Sequence, residues 1–179
     1  MQIKELSGFV LAGGNSRRMG MDKGLLKLNG KEMICYSLET LKKICSSVSI
    51  ISNNKVYSKF AFPVYPDHLK EKGPLAGICT ALSTSKTDLN IVISCDSPFI
   101  TAELLLFLVE KLANFDAVVP TFKENIYPLT AIYSKSCLNI FNERLLKNEL
   151  RVKDAINFVN TNQLELTEKL PFFDEKILT

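Results

Sequence analysis

The residues best suited to chemistry lie in one run near the start of the chain, Leu11-Ala12-Gly13-Gly14-Asn15-Ser16-Arg17-Arg18-Met19-Gly20-Met21-Asp22-Lys23. An apolar stretch empties there into paired glycines, which lack Cβ atoms and let backbone N–H groups close around an anion. Two arginines and a lysine follow. Arginine offers a planar fork to phosphate oxygens and lysine a mobile point charge, so the glycines with Arg18 and Lys23 suit a polyphosphate better than a single carboxylate. The spacing is neither GxxxxGK[ST] nor GxGxxG, because Gly14 is followed six residues later by Gly20 and then Met21. The loop is therefore neither a P-loop nor a dinucleotide fingerprint.

A second signal is Asp96, where the apolar run Leu89 to Cys95 stops. Open α/β sheets bind ligands outside the carboxyl ends of their strands, so a carboxylate emerging there is placed to hold a divalent ion. Magnesium is the natural candidate, since it prefers one or two carboxylates with phosphate oxygens and water. A third, weaker cue is Asp67, which follows a strand candidate and precedes Gly73-Pro74-Leu75-Ala76-Gly77, where a backbone without Cβ atoms could approach a flat ligand. An Asp after a strand is also a common turn residue. Asn53-Asn54 after another strand candidate is weaker still. No GxSxG elbow is present and the single histidine, His68, sits in a polar stretch, so neither a serine triad nor histidine acid–base chemistry is supported. The implied chemistry is metal-and-cation work on phosphates.

The elements that must position these residues read as βα units around a mostly parallel sheet. Strands are expected at Gly8–Ala12, Val48–Ser52, Ala61–Tyr65, Leu89–Cys95, Ala117–Val119 and Leu129–Tyr133, with Pro63 pushing the third toward a short or edge position. Ile34, Leu38, Leu41 and Cys45 mark one face of a first helix. Further helices are expected from Pro74 to about Leu82, after Thr101 as N-cap, over Cys137–Leu146 and over Val152–Phe158, and the pattern weakens from Thr161. With no repeat, linker or low-complexity segment, residues 1–179 read as one three-layer α/β domain. The net charge of only +3, with both signs interspersed, argues against a nucleic-acid partner. Cys35, Cys45, Cys79, Cys95 and Cys137 form no CxxC pair and read as reduced thiols of a cytosolic protein. Apolar runs fall far short of the roughly 18 residues of a membrane span, and no signal peptide is evident.

Taken together, Leu11-Ala12-Gly13-Gly14-x-Ser16-x-Arg18-Met19-Gly20-x-Asp22-Lys23, Pro66-Asp67, Gly73-Pro74-Leu75-Ala76-Gly77, Cys95-Asp96-Ser97-Pro98 and Tyr127-Pro128-Leu129-Thr130-Ala131-Ile132-Tyr133 resemble the molybdenum cofactor guanylyltransferases over about residues 6 to 158. The resemblance implies a Rossmann-like nucleotidyltransferase fold and transfer of GMP from Mg-GTP to molybdopterin, with release of pyrophosphate. It implies that Leu11, Ala12 and Gly13 bind nucleotide through their backbone and that Lys23 meets the phosphates. Asp67 would contact the nucleotide, Asp96 both the nucleotide and Mg²⁺, and Asn53 or Asn54 would add a further contact. In-line attack by a phosphate oxygen sets anion against anion, work that suits Arg18, Lys23 and a metal on Asp96. Transient contact with molybdate-insertion proteins or apo-molybdoenzymes is likewise implied. The family's Asn-x-Asn-Thr-Pro segment has no good match here, Asn160-Thr161-Asn162 being a poor one. Alternatives that the residues leave open are a cytidylyl- or sugar-phosphate nucleotidyltransferase and a catalytically silent nucleotide-binding protein. Gly13-Gly14, where CTP-using relatives tend to show Leu-Ala-Ala-Gly, leans toward guanine.

Overall fold

β1 (Leu6–Leu11) is buried at every position, so it shows no polar alternation and must be covered on both faces. It runs parallel to β4 (Ser47–Ile51) on one side and to β6 (Leu89–Ser94) on the other. The structure is a computed structural model that describes residues 5–13, 22–67, 69 and 72–178. Within them an eight-stranded sheet has the order β10-β7-β9-β6-β1-β4-β5, with β8 paired to β7. Here β5 is Val64–Tyr65, β7 Ala117–Phe122, β8 Asn125–Ile126, β9 Thr130–Ser134 and β10 Thr161–Glu165. β9 is antiparallel to both of its neighbours, while β5, β4, β1 and β6 all point the same way.

Side chains alternate across this sheet and each face has its own helices. Val10 faces α1 (Met33–Lys42) and α3 (Ala102–Glu110) through Ile34, Leu38, Leu41, Leu104 and Leu108. Phe9 and Leu11 face α2 (Gly73–Thr84) and α4 (Cys137–Leu146) through Leu75, Ile78, Leu82 and Phe141. The architecture is thus the three-layer α/β arrangement with a mostly parallel sheet that the alternating pattern implies. Among the described residues no helix is long and apolar enough to cross a membrane.

Boundaries differ from the sequence reading where local chemistry intervenes. The third strand shrinks to Val64–Tyr65, because Ala61 adopts a left-handed φ of 58° at the end of a 3-10 turn, Lys55–Phe60. Cys45 lies past the end of α1, its amide donating back to the Leu41 carbonyl at 2.9 Å. The last expected helix divides into α5 (Val152–Ala155) and a 3-10 turn, Ile156–Phe158. The weakly patterned stretch from Thr161 is β10, a half-exposed edge strand parallel to β7. A small hairpin, β2 (Lys27–Leu28) and β3 (Lys31–Glu32), turns through Asn29 and Gly30, both at positive φ, as a two-residue hairpin turn requires.

Candidate active site

The connections β1→β4→β5 step one way across the sheet, whereas β6 lies on the other side of β1. A crevice therefore opens beyond the carboxyl ends of β1 and β6, the usual place for a ligand in such a sheet. A cavity of about 670 Å³ occupies it, walled by Leu11 at the end of β1, Gly13 and Asp22 after it, Ser52, Asn53 and Asn54 after β4, Asp67 after β5, and Ser94 on β6. The start of α2 closes one side with Gly73, Pro74 and Gly77. A Cβ added to Gly13 would meet no atom of the described residues nearer than the Ser52 hydroxyl at 3.8 Å, and Gly13 lines the cavity.

The strands hold this rim in register through main-chain bonds. The Ala12 amide donates to the Ile51 carbonyl at 2.9 Å, and the Cys95 amide to the Leu11 carbonyl at 3.1 Å. Ala12 is fully buried, so Gly13 is the first exposed residue after β1. That refines the expectation for Leu11, Ala12 and Gly13: the Ala12 amide is already engaged by β4, and Gly13 carries the accessible backbone. The same crossing brings Lys23 and Asp96 together, Nζ to Oδ2 at 3.0 Å. Asp96 Oδ1 also accepts the Ser94 hydroxyl. Burial raises the Asp96 pKa, but the Ser94 hydroxyl and the Lys23 ammonium outweigh it and hold the carboxyl below its ordinary value. Lys23 in turn is raised by its bond to Asp96. Both groups are therefore charged at neutral pH.

Asp22, quoted in the first motif but given no role by sequence reasoning, lines the cavity and gathers hydrogen bonds from three residues. Its Oδ1 accepts from the Gly24 amide at 3.2 Å and from the Tyr57 hydroxyl, and its Oδ2 from Asn54 Nδ2 at 3.2 Å. Tyr57 is fully buried, and desolvation together with the Asp22 acceptor pushes its pKa up, so the phenol is a donor. Gly24 fits under this network only because it has no side chain. A Cβ there would lie 2.5 Å from the Tyr57 hydroxyl oxygen and 3.0 Å from Cys95 Sγ. Gly24→Ala is expected to destabilise the fold by about 1–3 kcal/mol, as overpacking does, read as a lower urea midpoint at unchanged slope. An unchanged midpoint would show that the network yields without strain.

Of the other expected residues, Asn53, Asn54 and Asp67 line the cavity, with different degrees of engagement. Asn53 Oδ1 accepts the Asp67 amide at 3.1 Å, tying the loops after β4 and β5 together. Asp67 Oδ1 accepts from Thr80 Oγ1 on α2 and from the Leu69 amide, each at 3.2 Å. Asn54 lines the cavity and also caps the Lys55–Phe60 turn, accepting from the Val56 amide and donating to Asp22. Gly14, Arg18 and His68 lie outside the described residues. Asn160 and Asn162 sit four strands from β1, at the amino-terminal end of β10, with their amides bound to the Asn114 and Lys111 carbonyls. They are structural.

Among the described residues no three His, Cys, Asp or Glu side chains cluster as a metal cage. Asp22 and Asp67 line the cavity and Asp96 follows the lining residue Ser94 by two positions; an ionised carboxylate such as Asp96 beside a phosphate-sized cavity does fit a hard divalent ion that brings phosphate oxygens and water as its other ligands. The cysteines are free, and burial pushes the Cys95 thiol, packed beneath Gly24, up to about 12. It is inert packing at neutral pH.

Comparison with known proteins places this geometry among relatives. The model of the MobA-like NTP transferase domain matches residues 8–160. A Flavobacterium johnsoniae protein named a probable molybdenum cofactor guanylyltransferase is 34% identical over 172 residues, which cover 95% of this chain and 90% of that one. The crystal structure of the Aq1419 protein from Aquifex aeolicus superimposes with a TM-score of 0.80 at 31% identity, covering 97% of this chain and 91% of that one. That of molybdopterin-guanine dinucleotide biosynthesis protein A from Archaeoglobus fulgidus gives a TM-score of 0.81 at 27% identity, covering 96% and 89%.

Proposed function

The chain belongs to the MobA-like NTP transferase family and is a nucleotidyltransferase, and from that premise we propose that it transfers GMP from GTP to the terminal phosphate of molybdopterin, releasing pyrophosphate. The observation that carries this reading is the meeting of Lys23 and Asp96 at 3.0 Å beside the cavity lined by Gly13 and Ser94. It unites a cation, a carboxylate and an open glycine backbone at the switch point of the sheet.

In this mechanism a phosphate oxygen of the acceptor forms a bond to the α-phosphorus of GTP. The bond from that phosphorus to the bridging oxygen breaks, and its electron pair leaves with pyrophosphate. No side chain acts as nucleophile. The residues position and neutralise, which is most of what phosphoryl-type transfer asks of a protein. Gly13 lets the backbone approach the nucleotide, Asn53 and Asp67 flank it, and Lys23 neutralises phosphate oxygens, as Arg18 does from the preceding stretch. Asp96 holds a divalent ion, for which Mg²⁺ is the choice its chemistry favours; when bound, that ion supplies Lewis-acid stabilisation of charge on the phosphates.

Pyrophosphate release measured with GTP, CTP, ATP and UTP, each with Mg²⁺ and with or without molybdopterin, tests the assignment. Release is expected with GTP and only when molybdopterin is present. A preference for CTP overturns the guanine assignment, and silence with every nucleotide in the presence of the acceptor overturns the acceptor.

A further inference from the structure

Lys23 sits on a 3-10 turn of three residues, Lys23–Leu25. A turn that short has little hydrogen bonding of its own, so the position of the ammonium depends on what anchors the turn. Its N-cap is Asp22, and the anchors converge on that carboxylate from separate parts of the chain. One oxygen takes the Gly24 amide inside the turn and the Tyr57 hydroxyl, and the other takes Asn54 Nδ2. Tyr57 and Asn54 belong to the Lys55–Phe60 turn and its cap, and Asn54 N is itself bound to Ser52 Oγ at 3.1 Å, at the end of β4. The turn that carries Lys23 is thereby fixed to the rigid sheet through one polar knot.

We propose that Tyr57, Asp22 and Asn54 are positioning residues for Lys23, holding its ammonium where the phosphates of the nucleotide arrive. The inference rests on the reading of Lys23 as a phosphate ligand. Apolar packing could bury a tyrosine ring at this place with no polar bond at all. A directed hydroxyl–carboxylate bond instead fixes orientation, because it is satisfied in one arrangement only. Asp22 and Asn54 line the cavity themselves, whereas fully buried Tyr57 lies outside its wall and acts on the ligand through Asp22 and Lys23, not by contact, which makes Tyr57 the residue to test.

Tyr57→Phe removes one oxygen and keeps the ring that packs on Phe60 at 5.9 Å. In equilibrium binding of GTP with Mg²⁺ and no acceptor, Y57F is expected to weaken affinity about fivefold, the scale of a hydrogen bond to a charged group felt at one remove. Lys23→Met is expected to weaken it at least about tenfold. The decisive measurement is the double variant, which a positioning role makes no weaker than K23M alone, since Tyr57 then has nothing to position. Additive losses overturn the inference. So does a Y57F protein with a lower melting temperature and unchanged affinity, while K23M is weakened. A K23M protein that binds GTP normally overturns the phosphate role of Lys23, and with it the proposed function of that residue. Should Y57F not fold, Asn54→Ser keeps an oxygen for the Val56 cap and loses the reach to Asp22. The same cycle with K23M then decides.

Discussion

Asp96→Ala is expected to lower GTP- and molybdopterin-dependent pyrophosphate release by about a thousandfold or more, with the protein still folded. Fixing a divalent ion at the phosphates is worth several kcal/mol of charge stabilisation, and each 1.36 kcal/mol is about tenfold in rate. The folded state depends on the same carboxylate far less. Its partner Lys23 is half exposed, with side-chain exposures of 50% and 31% for the pair, and bonds of that kind contribute about 0–1 kcal/mol. Asp96→Asn separates charge from volume. It keeps an oxygen for the Ser94 hydroxyl but loses the negative charge, and a comparable loss of turnover is expected. Near-normal turnover of D96A in saturating Mg²⁺ would remove Asp96 from the metal site. The pH dependence has a definite sign as well. The folded state holds Asp96 below its ordinary value of 3.8, so its stabilising contribution is complete above that value and is lost as pH falls through the lower folded one.

Much of this site is legible in the sequence because strand ends are. Apolar runs that stop at Gly13 and Asp96 locate the carboxyl ends of β1 and β6, and a parallel sheet brings adjacent strand ends to one rim. The alternation of Phe9, Val10 and Leu11 between two helix layers follows from the pleat. What sequence reasoning misses is carried by segments with no period of their own. Tyr57 lies in a short 3-10 turn, Lys55-Val56-Tyr57-Ser58-Lys59-Phe60, whose mixed residues have no period that marks it as fully buried. Its burial comes from the Asp22–Gly24 corner, 35 residues away along the chain for the hydroxyl–carboxylate bond. β10 escapes because a half-exposed edge strand, Thr161–Glu165, needs few apolar residues, and its pairing with β7 is visible only in three dimensions. The β2–β3 hairpin is a different matter. Asn29-Gly30 is a strong hairpin signal that the sequence does carry, and the strands flanking it are simply too short to show alternation.

Lys23→Met is expected to act in opposite directions on the two ligands of the site. If Asp96 holds the divalent ion as proposed, the Lys23 ammonium and that ion compete for one carboxylate, since Nζ stands 3.0 Å from Asp96 Oδ2. In the nucleotide-free protein the pair is electrically balanced, and a metal arriving on Asp96 would be expected to weaken its bond to Lys23. A triphosphate would offer Lys23 new oxygens, so on this reading nucleotide binding is expected to free Asp96 and the two ligands to favour one another. Removing the ammonium should therefore raise the affinity of the nucleotide-free protein for Mn²⁺ by a few-fold, the size of one partly exposed ion pair. It should at the same time lower kcat/KM for GTP by about a hundredfold, the upper size of a hydrogen bond between charged groups. Mn²⁺ titration followed by electron paramagnetic resonance reads the first effect, and pyrophosphate release the second. Weaker Mn²⁺ binding in K23M would show that Lys23 supports the metal site instead of competing for it. Unchanged kcat/KM would show that the ammonium stays on Asp96 throughout the reaction and never reaches the phosphates.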